Sequence, residues 1–174
     1  NELAGRGHEG IGSDLAESYS GIQDDTAVTT MPYHAMDITN TTQVEKLFSE
    51  ICPDAVIHCA AWTAVDAAED EDNQDKVTRI NETGTEVIAR ACKKAGCKLL
   101  YLSTDYVFDG EGDTPWKPDC KDYAPLNVYG RTKLGGELAV AEQLSRYFIV
   151  RIAWVFGVNG NNFIKTMLKI GKDH

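Results

Sequence analysis

Short apolar runs alternate along this chain with longer stretches whose apolar residues recur every three or four positions. The runs HEGIGSD (8–14), YHAMD (33–37), DAVIHCAA (54–61), CKLLYLSTD (97–105) and RYFIVRIAWVFG (146–157) read as strands. The last three are continuous enough to predict burial on both faces. Between them, TNTTQVEKLFSEI (39–51), DNQDKVTRINETGTEVIARACKKAG (72–96) and LNVYGRTKLGGELAVAEQL (126–144) carry helical spacing. Thr39 or Asn40 suits the N-cap of the first helix, and Gly96 suits the C-terminal stop of the second. Strand and helix in this alternation predict an α/β fold, a doubly wound parallel sheet.

In such a sheet, chemistry gathers at the carboxyl ends of the strands. Asp37 and Ile38 follow the second strand, CAAWTAVDAAE the third, STDYVFDG the fourth and AWVFGVNGNN the fifth. Small residues at Ala60 and Ala61 would let a flat ligand lie against backbone, while Thr104, Asp105, Tyr106 and Trp154 offer a hydroxyl, a carboxylate and aromatic surface. Tyr129 and Lys133 stand four apart on the next predicted helix and so share a face. An ammonium held there is expected to lower the phenol from its ordinary value of about 10, making the tyrosine a proton donor or acceptor near neutrality. A strand-end hydroxyl at Ser103 or Thr104 would add a donor to a substrate carbonyl.

Composition narrows the partners. The 174 residues suit one domain, with 43% hydrophobic and 25% charged residues. A formal charge of −10 argues against a nucleic-acid binder. No apolar run reaches a membrane span, so a soluble, cytoplasmic protein is expected. Five cysteines without a C-x-x-C pair predict reduced, mostly buried thiols and no zinc site, and the scattered histidines predict no other metal. The acidic run AEDEDNQD (68–75) reads as a solvated helix start.

STDYVFDG, PLNVYGRTKLGGE and RIAWVFGVNGNNF, in that order and preceded by PDAVIHCAAWTAVDAAE, resemble the extended short-chain dehydrogenase/reductases. Within them the resemblance is to the dTDP-4-dehydrorhamnose reductases, and it runs from about residue 8 to residue 173. It implies a Rossmann-like fold, NADPH or NADH as cofactor and a nucleotide sugar as substrate. It also implies hydride transfer to the C4 keto group of dTDP-4-dehydro-L-rhamnose, with Thr104, Tyr129 and Lys133 as the catalytic group and Tyr129 as proton donor. Asp14, Asp37 and Ile38 match positions near the adenosine end of the cofactor, and Ala60, Ala61 and Trp62 match its ribose and nicotinamide segment, beside Tyr129 and Lys133. A carboxylate such as Asp14 usually holds the ribose 2′-hydroxyl of NAD and repels the 2′-phosphate of NADP, yet the family tolerates both. Val65, Asp105, Tyr106, Trp154, Asn161 and Asn162 match positions facing the nucleotide sugar.

Two departures qualify the resemblance. The family's first strand and its glycine-rich pyrophosphate turn are not found, because GRGHEG precedes a strand instead of following one. The smaller C-terminal substrate region would begin about where KTMLKIGKDH ends, and the homodimer contacts of some members lie beyond residue 174. The expectation is one incomplete dinucleotide-binding domain over 1–174. Two other readings stay open, a non-catalytic regulatory subunit of the same shape and a sugar-nucleotide epimerase or dehydratase. A second carboxylate directly after Asp105 would suit a dehydratase, and Tyr106 stands there.

Overall fold

The computed structural model describes residues 2–19, 31–157 and 162–173. It divides into two compact units, residues 37–152 and a second built from residues up to 36 with those from 153 onward.

In the larger unit, α1 (Thr41–Ile51) starts at Asn40, whose side chain accepts from the Gln43 amide at 3.1 Å. β1 (Ala55–His58) follows, then a short α2 (Val65–Ala68), then α3 (Glu71–Thr78). That helix runs through a π-helical turn, Arg79–Gly84, into α4 (Thr85–Ala95), which Gly96 closes at φ 70° in the left-handed region. β2 (Lys98–Thr104), a 3-10 turn (Asp105–Val107), α5 (Val128–Gln143) and β3 (Tyr147–Ile152) complete it. The strands are parallel in the order β1-β2-β3, with Ile57 opposite Leu100 and Leu100 opposite Phe148.

The register explains the core. His58, Tyr101 and Ile149 lie in line on one face, together with Leu99 and Ser103, and α4 and α5 cover that face. Leu99, Tyr101, Ile88, Ala89, Cys92 and Val140 are buried there. The opposite face carries Ile57, Phe148, Val150 and Ile152, all exposed, and no described helix of this unit covers it. The expectation that all three strands are buried on both faces therefore fails for β1 and β3. Side chains alternate across a strand, and only one side of this sheet meets helices within the unit.

The smaller unit holds α6 (Glu2–Gly5), two parallel strands, β4 (Gly12–Asp14) and β5 (Tyr33–Ala35), and α7 (Phe163–Asp173). Both strands are shorter than the runs that predicted them. Before β4, Gly7 sits at φ 77°, outside the extended region. All five cysteines are free, but Cys92 and Cys97 alone are buried, while Cys52 and Cys59 are exposed and Cys120 is intermediate. Mostly buried thiols are thus not what the fold provides, because Cys52 terminates α1 and Cys59 follows a strand end. Among the described residues no helix is long and apolar enough to cross a membrane.

Candidate active site

The site is assembled by α5 pressing onto the end of β2. Asn127 caps α5 by accepting from the Gly130 amide at 2.7 Å, and the Glu69 carboxylate accepts from the Val128 amide at 2.6 Å. The acidic run is therefore not wholly a solvated helix start, since Glu69 holds the N-terminus of a different helix. Three glycines set the depth of contact. A Cβ on Gly130 would strike the Tyr106 carbonyl. One on Gly136 would lie 2.5 Å from the Tyr101 hydroxyl and 2.7 Å from the Asn81 carbonyl, and one on Gly135 would lie 2.5 Å from the Glu82 carboxylate.

That close approach sinks Lys133 to 2% exposure. Its Nζ donates to the Leu102 carbonyl at 2.7 Å and lies 4.1 Å from the centroid of the Tyr101 ring. Burial brings the ammonium down to about 8, with Glu137 and Cys59 acting to raise it. Tyr129, one turn earlier, is half-buried and meets the Tyr106 ring edge-on at 5.8 Å. Its pKa is raised, first by burial and then by Asp105 and Tyr106, while the Thr104 hydroxyl pulls it down. The expected lowering by Lys133 is not found. The apolar seat that Tyr129 shares with Trp62 over Ala68, Val77 and Val128 disfavours a phenolate more strongly.

Thr104 ends β2 at 4% exposure, accepting from the Tyr106 amide and donating to the Asp105 carboxylate, both at 3.2 Å. Asp105 and Tyr106 are exposed beside it. After β1, Ala60 is exposed and Ala61 half-buried. Trp62 follows, with its indole N–H donating to the Ala64 carbonyl at 2.9 Å and the Lys76 ammonium 5.4 Å from its ring. Val65 opens α2, half-buried. This segment is held by Asn81, which the sequence pattern does not single out. From the π-helical turn, fully buried, its side chain accepts from the Trp62 amide at 2.8 Å. It donates to the Trp62 carbonyl and to the Thr132 hydroxyl, both at 3.2 Å. Thr132 in turn donates to the Tyr129 carbonyl at 3.0 Å. An asparagine inside a helical pattern, three residues before Gly84, was the available signal, since neither residue favours a helix interior.

The remaining candidates divide. Asp37 in the larger unit turns one carboxylate oxygen to the Thr39 amide and hydroxyl, each at 2.8 Å, and Ile38 packs so close to Gly84 that a Cβ there would be 2.7 Å away. Both have local structural work before α1. In the smaller unit, Asp14 is exposed, accepts from the Leu15 amide at 2.6 Å, and helps line a cavity of about 260 Å³ with Tyr19 and Tyr33. Trp154 is 74% exposed, at φ 51°, with its ring edge-on to Phe163 at 4.8 Å. Asn162 caps α7, accepting from the Lys165 amide at 3.1 Å and donating to the Gly157 carbonyl at 2.9 Å. Asn161 lies outside the described residues.

Within the larger unit, the donor set fits the nicotinamide and ribose end of a dinucleotide. One of the three Lys133 donors goes to Leu102, leaving others for a ribose diol, and Ala60 and Ala61 put little bulk over the backbone that follows β1.

The dTDP-4-dehydrorhamnose reductase of Shigella flexneri is 45% identical over 137 residues, 79% of this chain and 45% of that protein. The protein of the same description from Streptomyces griseus is 43% identical over 148 residues, 84% of this chain and 48% of that one. A crystal structure of dTDP-4-dehydrorhamnose reductase from Bacillus anthracis in complex with NADP superposes with a TM-score of 0.74 at 41% identity, over 83% of this chain and 52% of that one. The chain thus spans about half the length of the relatives it matches. Residues 4–174 match the family described as RmlD substrate binding domain, and the chain belongs to that family.

Proposed function

We propose that the chain carries the proton-donating centre of a reductase that converts dTDP-4-dehydro-L-rhamnose to dTDP-L-rhamnose. The observation that carries this reading is the Thr104 hydroxyl beside Tyr129 at the end of β2, with Lys133 one turn along α5 and its ammonium on the Leu102 carbonyl of the same strand. The relatives named for this reaction support it. NADPH or NADH, when bound, supplies the hydride, and the NADP held by the Bacillus anthracis protein supports the phosphorylated form.

The chain's own residues handle the proton and the charge. Burial keeps the Tyr129 phenol protonated at neutral pH, which makes it an acid toward a substrate carbonyl oxygen. The Thr104 hydroxyl becomes a second donor toward the same oxygen when its one proton turns away from the Asp105 carboxylate. Lys133 places a positive charge under the site where negative charge develops, in surroundings that screen it little. Trp62 and Tyr106 pack against Tyr129 and cover part of its ring. We place the reaction in the cytoplasm, a reducing compartment that suits the free cysteines.

The test follows nicotinamide absorbance when the intact gene product meets NADPH or NADH and dTDP-4-dehydro-L-rhamnose, with Tyr129→Phe beside it. Oxidation that falls by about 10²–10⁴-fold in the variant is expected. Cofactor binding without any oxidation by the wild type would overturn the proposal and favour a binding or regulatory role.

A further inference from the structure

The buried ammonium of Lys133 presents an unsolved charge problem. At 2% exposure it has lost most of its water, and among the described residues it makes no salt bridge. The carboxylate one turn along α5, Glu137, acts to keep Lys133 charged, but both its oxygens are bound to Arg151, at 2.9 and 2.6 Å, and it makes no ion pair with the lysine. From the segment after β1, the exposed Cys59 is a thiol whose pKa partial desolvation raises, against the pull of Lys133. His58, at the end of β1, is buried and uncharged at neutral pH. Tyr129, on the same helix, is a neutral phenol. What faces the charge directly is the Leu102 carbonyl and the flat face of Tyr101, both from β2.

Tyr101 is well placed to hold that position. It is fully buried, with the His58 ring stacked on it at 5.5 Å and 22°. Its hydroxyl lies near the Thr85 hydroxyl, which donates instead to the Asn81 carbonyl, and it makes no well-formed hydrogen bond among the described residues, so what this position provides is the ring. An aromatic face attracts a cation most strongly when both are desolvated.

We propose that Tyr101 is a positioning residue, whose ring face seats the Lys133 ammonium at the active site and keeps it charged there. The role rests on the reductase reading, which makes Lys133 part of the catalytic group, but it can be measured without turnover.

The experiment replaces Tyr101 in the intact protein with phenylalanine and then with phenylalanines carrying increasing numbers of ring fluorines. These keep the shape of the ring and progressively remove the negative charge on its face. The 15N resonance of the Lys133 side chain, assigned by its loss in Lys133→Arg, is followed against pH. Circular dichroism confirms that each variant is folded. Tyr101→Phe should leave the Lys133 titration near that of the wild type. Full fluorination should lower its midpoint by about half a unit to one and a half units, in steps. The alkaline limb of the turnover profile should move down with it. A Lys133 midpoint that ignores fluorination while the protein stays folded would overturn the proposal. Absence of turnover in the wild type would overturn the reductase reading and leave the resonance measurement to decide the role of Tyr101.

Discussion

Mild acid should destabilise this protein through His58. The Thr85 hydroxyl donates to the Asn81 carbonyl at 2.7 Å, so its oxygen is left to accept from the imidazole at 3.1 Å, which selects the neutral Nε2–H tautomer. Burial, and next the Lys133 ammonium, bring the imidazole from 6.5 down to about 4. Because the folded value is depressed, the unfolded chain takes up the proton first. Stability is complete above the unfolded value and is lost as pH falls through the interval down to about 4. At about 1.4 kcal/mol per unit, the loss is roughly 2 kcal/mol between pH 8 and pH 5 and roughly 3 kcal/mol by pH 4.

The assay is urea unfolding of the intact protein at pH 8, 6.5 and 5, with His58→Gln in parallel. The variant loses the stack on Tyr101 at every pH, so the informative quantity is the difference between the two declines. The wild type should lose about 2 kcal/mol more than His58→Gln between pH 8 and pH 5. Equal declines would show that His58 is protonated in the folded state, and the assignment of its tautomer and partner would fall with it.

Two further substitutions test how α5 is seated. Gly136→Ala should destabilise by about 1–3 kcal/mol despite the better helix propensity of alanine, because the new methyl meets the Asn81 carbonyl and the buried Tyr101. Gly135→Ala, which meets the movable end of Glu82, should be neutral or stabilising by up to about 1 kcal/mol, and thermal unfolding separates the two. Glu137→Leu should cost about 3–5 kcal/mol by leaving Arg151 without its carboxylate, while Glu137→Leu with Arg151→Met should recover much of the loss. Denaturant unfolding of the single and double variants reads the difference.

These tests concern contacts that local pattern could not supply. The spacing of Tyr129 and Lys133 was legible because a helix converts four residues of separation into a shared face, and the caps at Asn40 and Gly96 were legible because capping is a short-range property. The charge state of Tyr129 was not, since it depends on how deeply Trp62 and Val128 enclose the ring. Asn81 looked like an ordinary helical position until the π-helical turn set it against Trp62 and Thr132, 19 residues before it in the chain and 51 after. Tyr101 looked like strand core, and it is. Yet the glycine that lets α5 approach the Tyr101 hydroxyl also brings Lys133 over the Tyr101 ring. The seating of Lys133 and the packing of the sheet are therefore one problem, and a change that loosens the helix by a methyl group should disturb the charge as well as the fold.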